Sequence, residues 1–178
     1  MSRLTYVVLA ALVLPTVAAA QEAPVAEIGT NAGLVVQSGG GTSVTQFGIP
    51  GQGILGQPTL YATFFTADVF MIEPQLALNT VSGGGVSFTT LGLGGQVGYL
   101  FDGPMVNSTF AAGSLQFQSI STGGNSTSDV GLGGIFGYRI LIGSTAAVRI
   151  QAGYRRWFDS HLNEFSFGVA LGALIHRR

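Results

Sequence analysis

Three side chains near the C-terminus of this 178-residue chain have the types that a hydrolase uses. Ser160, His161 and Glu164 could supply a nucleophile, a base and an acid, and hydrolysis would require the His to activate the Ser hydroxyl. Adjacent side chains on a strand point to opposite faces, so the sequence does not predict that Ser160 and His161 meet. We therefore expect no catalytic residues, with a hydrolase as an alternative.

Arginine and glutamate side chains are the other candidates, and their chemistry is ion pairing. Charged residues make up only 8% of the chain, and all seven basic residues are Arg. The planar guanidinium group of Arg can bind a carboxylate through two hydrogen bonds at once. We expect six residues to form a network of ion pairs inside the protein: Glu27, Glu73, Arg139, Arg149, Arg155 and Glu164.

The composition predicts no metal, cofactor or nucleic-acid site. The chain has no Cys, and His161 and His176 fall at opposite ends of one predicted strand, so a metal would lack ligands. The formal net charge is −1, which does not favour binding to nucleic acid. The glycine-rich stretches do not match a nucleotide-binding pattern, and no helical pattern follows them.

The apolar character of the chain, 47% hydrophobic, restricts its architecture. Residues 1–20 have the features of a secretory signal peptide, with Arg3 at the start, an apolar stretch and Ala18-Ala19-Ala20 as the cleavage site. No run of 18 apolar residues follows Gln21, so the sequence predicts no membrane-spanning helix. A closed β-barrel is the other structure that satisfies every backbone group in lipid.

Alternation of residue types with a period of two supports a barrel. From Val130 to Ile142, one set of alternate residues is apolar, and the other is mostly Gly, with Arg139. A soluble sandwich would cover its second face with Lys, Glu and Asp, whereas small residues suit the interior of a narrow barrel. The pattern predicts an all-β fold, an eight-stranded antiparallel up-and-down transmembrane barrel, with strands at 27–37, 58–67, 70–80, 86–101, 106–118, 129–142, 146–157 and 163–175.

These strands define the organisation of the whole chain. A signal peptide at 1–20 and an N-terminal segment at 21–26 precede the barrel at 27–175, and a tail at 176–178 follows it. The connections after the second, fourth and sixth strands are tight, and those at the other end are longer or rich in glycine, as in outer-membrane barrels. The two longest are Ser38–Gln57 and Ser119–Ser128.

The tight turns also predict which charged residues face each other. Folding the last two strands together sets Arg155 opposite Glu164, and folding the sixth strand on the seventh sets Arg139 opposite Arg149. All four side chains then point inward. Like charges opposed on a sheet repel. We therefore expect Glu27, Glu73 or both to bridge the two arginines.

Aromatic residues fall at the ends of the predicted strands, where rings prefer the boundary between lipid and water. The predicted inner rim contains Phe70, Tyr99 and Phe101, and the outer rim Trp157, Phe158, Phe165 and Phe167. The signal peptide, the eight alternating strands, the Arg and Glu set and these rims resemble the small outer-membrane β-barrel proteins, the OmpA-like membrane domain among them. The resemblance implies location in the cell outer membrane, contact with its lipid and lipopolysaccharide, and assembly by the barrel insertion machinery.

Eight strands leave an interior that side chains about fill, so we expect a plugged lumen. The leading functional hypothesis is a non-enzymatic membrane protein with a structural role or a role in surface interactions. Loop 38–57 could contact a surface ligand or could simply be mobile. The alternatives are an outer-membrane lipid-processing enzyme, similar to a lipid A deacylase, and a narrow channel or transporter for a small molecule.

Overall fold

The computed structural model describes residues 24–48, 60–66, 69–83 and 86–176. The predicted signal peptide lies outside these residues. Within them, no helix is long and apolar enough to cross a membrane. The strands are β1 Pro24–Gly39, β2 Thr42–Gly48, β3 Leu60–Thr66, β4 Phe70–Gly83, β5 Val86–Leu100, β6 Ser108–Thr122, β7 Asn125–Ile142, β8 Ala146–Trp157 and β9 Asn163–His176.

Eight of these strands close into an antiparallel barrel. Strands β3 to β9 pair in chain order, and β1 pairs with both β3 and β9, which closes the ring. The pairing of β1 with β9 runs from Pro24↔His176 to Ser38↔Asn163, with one irregularity near its start. The predicted all-β fold, an eight-stranded barrel, is confirmed. We call the end that carries the β6–β7 and β8–β9 turns the outer end, and the opposite end the inner end.

Strand β2 is the main departure from the predicted strands. The sequence predicted a loop over 38–57, but residues 42–48 form β2, which pairs with β1 from Gly39↔Thr42 to Gly33↔Gly48. The turn between them has Gly40 and Gly41 at φ values of 58° and 82°, and such two-residue turns match the twist of a hairpin. That prediction was therefore wrong for this half of the loop. Residues 49–57 lie outside the described residues.

A second predicted loop is also a hairpin. The sequence predicted a loop over 119–128, but β6 continues to Thr122 and β7 begins at Asn125. The connecting residues Gly123 and Gly124 have φ values of 57° and 89°, which again fit a two-residue hairpin turn. Both faces of this segment are rich in Ser and Thr, so its residues show no apolar alternation that would have marked a strand.

The barrel is apolar outside and polar inside. Exposed outward side chains are mostly apolar over the central part of the barrel, for example Leu93, Leu115, Phe136 and Leu171. The inward positions between them contain Gly, Ser, Gln and the buried Arg and Glu side chains. A wall of this kind is typical of barrels that face lipid. The fold thus collects the charged side chains of distant strands into one lumen.

Candidate functional site

The inner half of the lumen contains a connected set of ion pairs. Arg139 and Arg149 are cross-strand partners on β7 and β8, and both are buried. Glu27 on β1 accepts a hydrogen bond from Arg139 Nε at Oε2, at 2.9 Å, and Arg149 Nη2 lies 2.9 Å from its Oε1. One carboxylate therefore bridges the two arginines that the sequence placed opposite each other, and it offsets their repulsion.

Glu73 on β4 extends this set across the barrel. Its Oε2 accepts hydrogen bonds from Arg149 Nη1 and from the Thr63 hydroxyl, each at 2.5 Å. Its Oε1 accepts from the Gln75 amide at 2.7 Å and from the Gln96 amide. Every oxygen of this buried carboxylate thus has donors, which is the condition under which a charge tolerates burial.

Aromatic rings complete the same layer. The Arg149 guanidinium carbon lies 4.7 Å from the Tyr61 ring centroid, and the Arg139 guanidinium carbon lies 5.1 Å from that of Phe65. The Tyr61 hydroxyl donates to Glu27 Oε1 at 2.8 Å. A cation above a ring face gains a further favourable interaction. We call the set Glu27, Tyr61, Thr63, Glu73, Arg139 and Arg149 the ion-pair layer.

Glycine gives the ion-pair layer its space. A Cβ atom at Gly172 would lie 2.5 Å from Glu27 Cγ and 2.7 Å from the Tyr61 hydroxyl. A Cβ atom at Gly29 would lie 2.4 Å from the same hydroxyl. Glu27 and Tyr61 therefore rest directly on the backbone of the neighbouring strands, where any larger residue would displace them.

A second ion pair lies near the outer end. Arg155 Nη1 and Glu164 Oε1 are 2.8 Å apart, in the cross-strand pairing that the β8–β9 register sets. Glu164 Oε2 also accepts from Trp157 Nε1 at 2.9 Å and from the Gln37 amide at 3.0 Å. Strands β1, β8 and β9 are joined by this one carboxylate.

Trp157 does not belong to the outer aromatic rim, which is where its place at a strand end predicted it to lie. Its side chain is 1% exposed and points into the lumen. It lies two residues after Arg155, so strand alternation puts both side chains on the same face. The indole N–H needs a partner when buried, and Glu164 supplies one.

The other predicted rim residues lie on the outside of the barrel. At the inner end, the rings of Phe70 and Tyr99 and those of Tyr99 and Phe101 make edge-to-face contacts, with centroids 5.3 and 5.4 Å apart. At the outer end, Phe165 packs beside Tyr154, with centroids 5.0 Å apart. Phe158 and Phe167 are also exposed. This arrangement is typical of the two aromatic girdles of membrane barrels.

The outer end of the lumen opens into a cavity of about 450 Å³. We call this cavity the cup. Its wall and floor include Gln37, Gln118, Asp129, Trp157, Asp159 and Leu162. The sequence does not distinguish Gln37, Gln118 or Asp129 from other polar residues, because an isolated amide or carboxylate within a strand has no characteristic pattern.

Asp129 holds the β8–β9 loop against the cup. Its Oδ1 accepts from the backbone N–H of Val130 at 2.7 Å and of Asp159 at 2.9 Å. Its Oδ2 accepts from the Ser160 backbone N–H at 3.0 Å and from the Ser160 hydroxyl at 2.5 Å. Partial burial raises the pKa of the Asp129 carboxyl, but the donors outweigh that effect, and the net pKa lies below its ordinary value.

The structure assigns other partners to the three hydrolase candidates. The Ser160 hydroxyl donates to Asp129, and Glu164 pairs with Arg155. His161 has a positive φ of 55°, and its carbonyl oxygen accepts from Arg156 Nη1 at 2.7 Å. Within the described ranges, no hydrogen bond links Ser160 to His161, so the two do not form a nucleophile and base pair there.

The chain matches no protein-family model and no curated protein. It is similar in structure to Neisserial surface protein A, with 14% identity over 86% of this chain and 99% of that one, and a TM-score of 0.60. It has the fold of the small outer-membrane β-barrels. The chain is also similar to the outer membrane protein OprG of Pseudomonas aeruginosa, with 12% identity over 88% of this chain and 99% of that one, and a TM-score of 0.56. A third similar structure is the attachment invasion locus protein Ail of Yersinia pestis, with 10% identity over 86% of this chain and 100% of that one, and a TM-score of 0.52.

Proposed function

We propose that this protein is a non-enzymatic integral protein of the outer membrane, with a blocked lumen and an outer end that makes contacts at the cell surface. The barrel fold and the apolar wall support the location, because such a wall is stable only against lipid. Membrane lipid and lipopolysaccharide are the proposed contacts of the wall, and the barrel insertion machinery is the proposed means of assembly.

The ion-pair layer is the main support for the proposal that the lumen is blocked. Its side chains come from β1, β3, β4, β7 and β8, and Gln96 of β5 and Phe110 of β6 contact them, so the layer reaches across the barrel. All of these side chains are buried. A solute would have to separate buried, hydrogen-bonded charges to pass, which is costly.

The tall hairpins at the outer end support a role in surface contact. The β1–β2 and β6–β7 hairpins contain no charged residue between Ile28 and Gly48 or between Ser108 and Ser128, and they are rich in Ser, Thr and Gly. Regular hairpins present side chains more rigidly than irregular loops do, since their two strands are hydrogen-bonded to each other. We propose these uncharged hairpins as the contact surface, together with residues 49–57.

Substitution of Ser43 and Thr45 by Glu tests this role in cells. Both side chains are exposed on β2, and the change places charge on this uncharged hairpin while leaving Gln37, the β1–β9 pairing and the whole ion-pair layer unchanged. We expect an intact barrel in the outer membrane together with altered adhesion of the cells to surfaces or to other cells. Unaltered adhesion with an intact barrel would contradict the role of this hairpin.

A narrow conduit is the second candidate. Between the ion-pair layer and the cup, the lumen is lined by buried polar atoms, and among the described residues Ser114 Oγ and Gln116 Oε1 have no hydrogen-bond partner. Buried polar atoms of this kind suit a hydrated path. Regular current steps from the unaltered protein in a planar lipid bilayer would favour the conduit over the blocked lumen.

A further inference from the structure

The cup has the size of a binding site for a small molecule. Its volume of about 450 Å³ lies within the range of 300 to 1,000 Å³ that is usual for such sites. Its wall comes from β1, β6, β7 and the β8–β9 loop, and Trp157 forms part of the floor. Glu164 fixes the Trp157 ring, and Asp129 fixes the loop, so the walls are held in place before any ligand arrives.

The Glu164 and Asp129 carboxylates beside the cup are already used within the protein. Glu164 accepts from Arg155, Trp157 and Gln37. Asp129 accepts four hydrogen bonds from Val130, Asp159 and Ser160. Asp159 also belongs to the lining but is exposed at the rim, and among the described residues no Arg lines the cup. An anion would therefore find no ionic partner in the cup, and a cation would find one only at the solvated rim, where an ion pair contributes little.

Neutral polar groups remain available in the cup. Gln118 is only 6% exposed, it lines the cup, and within the described ranges no hydrogen bond joins its amide to another residue. An amide offers two donor hydrogens and an acceptor oxygen, which a ligand in the cup can take up in place of water. Thr127 lines the same wall and shares the inward face of β7 with Asp129, and Ile120 and Leu162 add apolar surface.

We propose that the cup is a binding site for a neutral, hydroxyl-rich molecule of the size of a mono- or disaccharide, such as the end of an uncharged glycan. A sugar hydroxyl both donates and accepts, so it can satisfy the Gln118 amide. The C–H faces of a sugar ring fit against Ile120 and Leu162. This inference depends on the proposed function only in that the cup must face the cell exterior.

Trp157 makes the test direct, because it is the only Trp in the chain and it lines the cup. The full-length mature protein is folded in an amine oxide detergent, which carries no sugar, and titrated with maltose, lactose and trehalose while Trp emission is recorded. Sodium sulfate and tetramethylammonium chloride serve as anionic and cationic probes. We expect a saturable change with at least one disaccharide and none with either ion.

Variants locate the site. Gln118→Leu keeps the size of the side chain but removes its hydrogen bonds, and we expect binding to weaken by about tenfold. Asn125→Leu makes the same kind of change at the exposed β6–β7 turn, outside the cup, and we expect no effect. Thr127→Leu, on the exposed rim of the cup, provides a second variant that does not disturb buried residues, and it should also weaken binding.

Several results would overturn the proposal. These are the absence of any response to the three disaccharides, a response to sulfate or tetramethylammonium alone, and unchanged affinity in both Gln118→Leu and Thr127→Leu. Each would leave the blocked, surface-exposed barrel intact. The proposed function fails separately, through current steps in a bilayer or through absence from the outer membrane.

Discussion

Arg139 and Arg149 lie directly opposite each other on adjacent strands, and the single carboxylate of Glu27 contacts both of them. Two buried guanidinium groups at this separation would repel strongly without an acid between them. Glu27 comes from β1, the first strand of the barrel, and the arginines come from β7 and β8, its sixth and seventh strands. The ion pairs therefore connect the two ends of the chain where the barrel closes.

Replacement of Glu27 should destabilise the barrel. Glu27→Gln retains the shape of the side chain but leaves two buried positive charges with only Glu73 to offset them. Removal of one partner from a buried ion pair costs about 3–5 kcal/mol, and we expect a loss of this size in the free energy of unfolding. The measurement is urea unfolding in lipid vesicles, followed by Trp157 fluorescence.

The control for Glu27 is Asp102→Asn. Asp102 is exposed in the turn at the inner end, and a surface change of this kind usually alters stability by less than about 0.5 kcal/mol. If Glu27→Gln and the unaltered protein have the same free energy of unfolding, the ion-pair layer does not stabilise the barrel.

The stability of the barrel should also depend on the space that Gly172 leaves for Glu27 and Tyr61. A Cβ atom there meets Glu27 and Tyr61 at less than 3 Å, whereas one at Gly113 meets nothing within 4 Å. We expect Gly172→Ala to lower the free energy of unfolding by about 1–3 kcal/mol through overpacking. The matched variant Gly113→Ala should leave it nearly unchanged. If both variants unfold at the same urea concentration, the close contact at Gly172 is not the cause.

Opening of the lumen should require removal of the ion-pair layer. We expect the unaltered protein to give no current steps in a planar lipid bilayer, and the double variant Glu73→Ala, Arg149→Ala to give them. The double change removes one charge of each sign, so it avoids leaving an unpaired buried charge. Arg156→Ala changes an arginine outside the ion-pair layer and should give no current steps. Steps of similar size in all three proteins would refute the blocked lumen.

Acid should release the β8–β9 loop. The hydrogen bonds to Asp129 lower the pKa of its carboxyl in the folded protein, so their contribution is present above the pKa of the unfolded chain and is lost as pH falls through the lower, folded value. Limited proteolysis of the loop over this acidic range measures the release. Asp129→Asn should show the same cleavage at neutral pH, and resistance of this variant at neutral pH would contradict the assignment.

The sequence predicted those features that depend on strand alternation. Alternation and the tight turns together set the register, so Arg155 opposite Glu164 and Arg139 opposite Arg149 followed from the positions of Gly143–Thr145 and Asp159–Ser160. The same alternation would have placed Trp157 inside the lumen, but its position at a strand end suggested a rim residue instead. The indole hydrogen bond to Glu164 depends on a residue in another strand, which local pattern does not show.

Other features depend on contacts that alternation does not encode. Strand β2 and the outer part of the β6–β7 hairpin are polar on both faces, so hydrophobic periodicity does not reveal them. The cup forms where β1, β6, β7 and the β8–β9 loop meet, and none of its amides or hydroxyls is distinctive alone. Only the folded arrangement shows that Asp129 binds the loop residues 159 and 160.

The central claim is that the mature chain forms a closed barrel with an apolar wall and its charges inside. Gel migration in mild detergent, with and without heating, tests it most directly, because a closed barrel stays compact in the detergent until heat unfolds it. We expect the unheated protein to migrate as a compact species and to shift on boiling to the position of its unfolded mass. Identical migration before and after boiling, with the protein soluble in water without detergent, would contradict the account.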